Sequence, residues 1–225
     1  MPQIKDSLYE QLNPLTTIAG QHFVEDFSGD TLDTFRWGEC NNTGTAEFAM
    51  LDEVDGGFRM STDTGSALND VWISFNANST SGATSPICQF DPYGSVLIDV
   101  MRYSSAKATI ASSGGGFSTE GRGDQATSGY PDSGLQSAAF HYTRSSPDLN
   151  FYFITITDGD SGGGSYGVDS GVAFDTDWHC HKIELLPTSA AYTLDGILRG
   201  IRTNNLPRNK QSPVYGCMKL GTQTS

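Results

Sequence analysis

The chain has 225 residues, 26 of them glycine, with 36% hydrophobic and 11% aromatic residues and a formal net charge of −13 at pH 7. That length suits one large β domain or two small ones, and the aromatic content supplies a core, which sets global disorder aside. The acidic balance offers no basic patch to displace counterions from phosphates or to hold an anionic bilayer, so nucleic-acid and membrane partners are set aside as well.

The first residues, Met1-Pro2-Gln3-Ile4-Lys5-Asp6, lack the basic-then-apolar order of a secretory leader. No apolar stretch approaches the ~20 residues that span a bilayer. The expected product is made in a cytoplasm, or leaves it by a route other than secretion. Residues 1–21 differ from the rest. Ile4, Leu8 and Leu12 recur at i, i+4 and i+8, one apolar stripe on a short helix that Asn13-Pro14 stops. So short a helix is marginal alone and needs something to pack on. It either folds back on its own domain or acts as an arm docking on a neighbouring subunit.

Residues 22–225 read as one β domain. Phe23-Val24-Glu25-Asp26-Phe27 alternates and runs into a turn at Ser28–Asp33, with Arg36-Trp37-Gly38 after it. Strands are expected at Ala46–Leu51, Gly57–Ser61 and Asp70–Phe75, with Gly56-Gly57 and Thr64-Gly65 turning between them. Ser95–Met101 is the most apolar run and reads as a central strand buried on both faces, with Lys107–Ala111 as its partner. Residues 112–134 are rich in Gly, Ser and Thr and read as a long loop. It contains Arg122-Gly123-Asp124, a tripeptide common enough by chance to carry no weight. Further strands are expected at Leu135–Thr143, Asn150–Thr157, Tyr166–Val172 and Val214–Leu220, with a second Gly-rich loop at Asp158–Gly164.

The clearest stretch is late. In His179–Leu185 the residues His179, His181, Ile183 and Leu185 share one side, and Cys180, Lys182 and Glu184 the other. Pro187-Thr188-Ser189 breaks this strand. A second one ends at Asp195-Gly196, a pair suited to a tight hairpin because both positions accept positive φ, and a third begins at Ile197. About a dozen short strands with frequent turns predict an all-β, two-sheet antiparallel sandwich. The four cysteines, Cys40, Cys88, Cys180 and Cys217, form no Cys-x-x-Cys pair, so free buried thiols are the default and one or two disulfides stay open.

Two segments resemble the concanavalin A-like, laminin-G-type jelly-roll superfamily: Glu25–Asp33 with Arg36-Trp37, and Asp169–His179 followed by Lys182-Ile183-Glu184 and Tyr192-Thr193-Leu194-Asp195-Gly196. The form Gly171-Val172-x-x-Asp175-Thr176-Asp177-Trp178-His179, with Thr203-Asn204 and Pro207 beyond it, is similar to modules of tailed-phage virion proteins. The resemblance spans residues 23–222 and implies a jelly-roll sandwich. Its activity stays open, because the fold hosts lectins, hydrolases, lyases and scaffolds.

The laminarinase-type enzymes of this superfamily carry Glu-x-Asp-x-x-Glu on one strand, where alternation gathers the carboxylates on one face. That motif is absent here, which leans against an enzyme, and no catalytic residue is assigned. His141, Tyr142 and Arg144 could serve a lyase, but alternation puts His141 and Tyr142 on opposite faces. His179 and His181 have the spacing of paired metal ligands on a strand, yet their company of Ile183 and Leu185 marks them as core or sheet-edge residues. Asp158, Asp160 and Asp169 are the candidate ligands of an oxygen-rich calcium loop, without EF-hand spacing; a solvated Gly-Asp turn is the plainer reading, and no other cofactor is expected. Trp72, Tyr93, Tyr103, Tyr130 and Tyr166 are candidates to stack on sugar rings. The resemblance implies a non-enzymatic virion component on the capsid or tail of a phage, made in the host cytoplasm. Its partners would be capsid or tail proteins, a glycan or host surface, and further copies of itself. The alternatives are a polysaccharide-degrading lyase or hydrolase and a free lectin.

Overall fold

A computed structural model describes residues 27, 30–33, 37–41, 46–51, 57–62, 69–75, 90–93, 96–104, 110–118, 136–143, 150–157, 167–209 and 212–219. The expected arm at 1–21 lies outside them, as do Phe23–Asp26, Arg122-Gly123-Asp124 and Arg144. All the regular structure in the described residues is β. Thirteen strands follow in order: β1 (Trp37–Asn41), β2 (Ala46–Met50), β3 (Phe58–Thr62), β4 (Asn69–Phe75), β5 (Leu97–Tyr103), β6 (Ile110–Ser118), β7 (Ser137–Thr143), β8 (Asn150–Ile156), β9 (Val168–Ala173), β10 (His179–Leu186), β11 (Ser189–Leu194), β12 (Ile197–Arg202) and β13 (Ser212–Lys219). They form a seven-stranded sheet ordered β1-β4-β13-β6-β7-β8-β9, a four-stranded sheet ordered β12-β11-β10-β5, and the hairpin β2-β3. All pairs are antiparallel.

The two larger sheets enclose one core by alternation. His181, Ile183 and Leu185 of β10 and Ala190, Tyr192 and Leu194 of β11 are buried from one side; Ala138, Phe140 and Tyr142 of β7 and Phe151 and Phe153 of β8 meet them from the other. A second cluster joins Trp37 of β1 and Ile73 of β4 to Met101 of β5, and it includes Phe27, which stacks on Phe58 at 5.5 Å. The expected meander is present with its turns. Asp195 and Gly196 both take positive φ, 51° and 77°, as a two-residue hairpin of this twist requires. Beyond β12, Leu206 packs on the core, while the Thr155 hydroxyl donates to the Asn204 carbonyl at 3.0 Å and buried Gln136 accepts from the Arg208 and Asn209 amides.

Three expectations are corrected. Residues 112–118 are not loop: they belong to β6, a central strand of the seven-stranded sheet. At Gly116 the neighbouring strand and the opposite layer together leave no room for a side chain. A Cβ at Gly116, which sits at φ 140°, would stand 2.6 Å from both the Ala138 carbonyl and Ile183 Cδ1. Lys107–Ala111 is not the partner of the apolar run at 95–101, since Ile110 and Ala111 start β6 in the other sheet. The apolar run itself is the end strand of its sheet among the described residues, paired to β10. Its second apolar side, Val96, Ile98 and Val100, faces away from the sandwich, because Leu97, Met101 and Tyr103 at the alternate positions belong to the core clusters.

Candidate functional site

The densest polar arrangement stands where three segments converge. One is the bend Asp175-Thr176-Asp177-Trp178 that feeds β10. The second is the Asp195-Gly196 hairpin between β11 and β12. The third is the end of β5 at Arg102-Tyr103-Ser104. The first is shaped by its own side chain, since Asp175 Oδ1 accepts from the Asp177 amide at 2.8 Å and closes an Asx turn. The Ser104 hydroxyl donates to the Thr176 carbonyl at 2.8 Å, fixing the bend to the end of β5.

His179 is the keystone. Its Nδ1 donates to Asp195 Oδ2 at 2.7 Å and its Nε2 to Asp175 Oδ1 at 3.0 Å. A ring donating from both nitrogens is an imidazolium. Burial alone would lower its pKa, but the two carboxylate hydrogen bonds and their charges outweigh burial and raise it above the usual 6.5. Asp195 responds in the opposite sense: burial lifts it, yet the Cys180 amide and His179 hold its carboxyl below the ordinary range. Asp195 Oδ1 accepts from the Cys180 amide at 2.8 Å, and the Asp195 amide donates to the Cys180 carbonyl at 2.9 Å, so the hairpin is latched to β10. The Cys180 thiol is free and half-buried, and its pKa is raised by burial.

Two residues along the same face, His181 is neutral. Burial and the neighbouring His179 charge push its pKa down to about 3. Its ring stacks on Phe140 at 3.8 Å, Nδ1 meets the Tyr192 hydroxyl at 2.8 Å, and Nε2 has no hydrogen-bond partner. The two histidines are therefore not a metal pair: both nitrogens of His179 are already committed to carboxylates. Among the described residues no group of three potential metal ligands converges.

Trp178 alternates with His179 and so turns to the outer side of the four-stranded sheet, where the Arg102 guanidinium sits 5.6 Å from its ring centroid. It remains 49% exposed. An open indole beside the Arg102 guanidinium can stack on one apolar ring face, with the guanidinium placed to meet that ring's polar edge. Sequence reasoning chose other aromatic residues as stacking candidates and passed over Trp178. The available signal was its phase, one residue out of step with an inward-facing series.

The predicted stacking residues scatter. Tyr93 is exposed in the turn before β5, its amide bound to Asp91 Oδ1 at 2.8 Å, at the opposite end of that strand from Trp178. Tyr103 is half-buried on the core, edge-on to Phe140 at 5.5 Å. Trp72 lies within β4, and Tyr130 and Tyr166 lie outside the described residues. Of the calcium candidates, Asp158 and Asp160 also lie outside them. Asp169 accepts from Asn150 Nδ2 at 3.0 Å and from the Gly171 amide at 2.7 Å.

A second arrangement crosses the outer face of the seven-stranded sheet. Register aligns Cys40, Trp72, Gly216, Gly114, His141, Tyr152 and Asp169 in one row over all seven strands. Its middle, Gly216 beside Gly114, is bare backbone. His141 next to it has its pKa lowered to about 4 by burial, and its Nε2 has no hydrogen-bond partner. Tyr142 faces the other way into the core, stacked on Phe174 at 3.6 Å, as alternation required. The cross-strand neighbour of His141 is Tyr152, which no sequence spacing could have paired with it.

No protein-family model matches this chain, and no curated protein matches it. Solved structures do. A Bacillus licheniformis β-glucanase superposes with a TM-score of 0.50 at 12% identity, over 92% of this chain and 88% of that one. The Emp46p carbohydrate recognition domain, in its potassium-bound form, gives 0.51 at 8% identity over 87% of each chain. The fold is the concanavalin A-like jelly roll, as the sequence resemblance implied.

Proposed function

We propose that this concanavalin A-like jelly roll is a non-enzymatic glycan-binding component of a phage virion, held on the capsid or tail. The observation that carries the binding half is Trp178, open to solvent beside Arg102. The two solved structures of the same fold, one named a β-glucanase and one a carbohydrate recognition domain, support carbohydrate as the ligand class. The spacing of carboxylates supports binding without cleavage. On the row face of the seven-stranded sheet, the described acidic positions Asp70 and Asp169 fall on β4 and β9, five strand intervals apart. At ~4.8 Å per interval that is roughly 24 Å, where glycosidase pairs need about 5–10 Å. The virion half rests on the similarity of Gly171–His179 and Thr203–Pro207 to tailed-phage modules.

Glycan-array binding, followed by titration of the best ligand, tests the first half. Trp178→Ala is expected to weaken binding at least about tenfold, with the melting temperature unchanged. Undiminished binding by that variant would remove the site. Mass spectrometry of purified virions tests the second half; absence of the chain from them would end the virion assignment.

One observation favours a second reading, a polysaccharide-degrading enzyme. His141, with an unpartnered and neutral ring nitrogen, stands beside Tyr152 on the row face, two groups able to move a proton next to a sugar carboxylate. Unsaturated-uronate absorbance or new reducing ends across a polysaccharide panel, lost in His141→Ala, would establish it over the first reading.

A further inference from the structure

The chain from Phe174 to His179 is fixed at both ends and irregular between them. Phe174 is buried, stacked on Tyr142 at 3.6 Å, and His179 opens β10. The residues between, Asp175 to Trp178, form no strand. One oxygen atom staples them. Asp175 Oδ1 accepts from the Asp177 amide at 2.8 Å and from His179 Nε2 at 3.0 Å, so both chain neighbours of Trp178 are bound to it. The Trp178 backbone is therefore the link between two residues held to the same atom, and the course of that link sets where the indole stands. The Asp175 side chain is 46% exposed, so water is at hand to take its oxygens if the staple opens.

The staple depends on one proton. A ring that donates from both nitrogens carries both hydrogens. Nδ1 makes the shorter bond, 2.7 Å to Asp195 Oδ2, and the other oxygen of that carboxylate is held by the Cys180 amide. When the ring is deprotonated, the remaining hydrogen stays on Nδ1 and the proton of Nε2 passes to solvent. Nε2 then turns a lone pair on Asp175 Oδ1, acceptor against acceptor. Asp175 faces the ring from the bend and Asp195 from the hairpin. On its own strand stand Cys180 and the neutral His181, 6.3 Å away ring to ring. From β8 comes the uncharged edge of Phe151 at 5.4 Å, and β5 sets Tyr103 opposite His179 and Arg102 opposite Cys180. The two bonded carboxylates outweigh burial, so the proton is lost on the alkaline side of 6.5. We propose that the His179 proton is the latch of the Trp178 platform: while it is present the bend holds the indole beside Arg102, and when it leaves, Asp175 turns to water and the platform comes apart. The mechanism stands on the staple alone; that its opening releases a ligand rests on the glycan-binding reading of Trp178.

Nuclear magnetic resonance of the full chain between about pH 5 and 10 tests it. The His179 imidazole and the Trp178 indole N–H, assigned by their loss in His179→Gln and Trp178→Phe, are expected to titrate with one shared midpoint above the usual 6.5. Asp175→Asn keeps an oxygen for the Asp177 amide but takes a charge from the ring, and is expected to lower the midpoint of both signals together. In His179→Gln the indole signal is expected to stay still over the same range; should that variant misfold, Asp175→Asn decides. An indole signal that is flat in the native chain, that moves with a midpoint of its own, or that still titrates in His179→Gln would overturn the proposal. For a glycan whose binding requires Trp178, affinity is expected to fall at least about tenfold as pH rises through the midpoint. Trp178-dependent binding that stays level across it would sink the latch and leave the glycan reading standing. An indole that follows His179 in a chain that binds no glycan would keep the latch and end that reading.

Discussion

At the scale of single residues, three histidines answer to pH in opposite senses. His181 is held near 3 and His141 near 4, both by burial, against an ordinary value of 6.5. The unfolded chain takes protons that the native one refuses, so stability falls as pH drops below about 6.5 toward those values. His179 runs the other way. Its pKa is raised, so its contribution is complete below 6.5 and is lost as pH climbs through the raised value. Asp195, held low, contributes above its ordinary 3.8 and loses that as pH falls through its native value. Urea unfolding as a function of pH separates them. His181→Gln is expected to flatten the acid limb between pH 6 and 4.5 by up to ~1.4 kcal/mol per pH unit. His179→Gln is expected to cost about 1 kcal/mol at pH 6 and less at pH 9, since both its carboxylate partners are well exposed. Equal costs at the two pH values would show that the clamp carries no charge. The sequence placed His179 and His181 on one face correctly, but it held no sign of Asp175, which reaches His179 from the bend before the strand.

At the scale of elements, β6 and β5 mark where reading by composition fails. Ser112-Ser113-Gly114-Gly115-Gly116 has the makeup of a linker, yet it fills the middle of the larger sheet, and at Gly116 the Ala138 carbonyl and Ile183 leave no room for a side chain. Only the position of Ile183 in the opposite layer explains it, and that is knowledge of the fold, not of the segment. β5 fails for the converse reason: apolar residues on both sides of a strand do not set it between two others, and β5 is the end strand of its sheet among the described residues. The late meander succeeded because its alternation, its Pro187 break and its Asp-Gly turn all agree. Gly116→Ala tests the β6 account. A Cβ there meets carbonyl and methyl atoms at 2.6 Å in a backbone region that L-residues avoid. The expected loss is ~2–4 kcal/mol in urea, and a loss under about 0.5 kcal/mol would show that the layers part easily.

At the scale of the molecule, the sheets share their interior so fully that neither stands alone. Phe140 and Phe153 of one layer meet His181 and Tyr192 of the other, and Trp37 and Ile73 reach Met101 across the second cluster. The chain is expected to unfold in one transition, with far-ultraviolet dichroism and tryptophan fluorescence sharing a single urea midpoint. Separated midpoints would mean that the Trp37 cluster melts on its own. The two-layer architecture was legible because alternation and turn chemistry are local; the pairing of His141 with Tyr152 was not, because register between distant strands is settled by the whole sheet. That row has one more consequence. Gly216 and Gly114 lie side by side at its midpoint, so the bottom of any furrow there is peptide plane. Since glycine is the smallest residue, every mutation at either place can only fill the hollow. Its depth is already at the limit, and evolution can tune it in one direction alone.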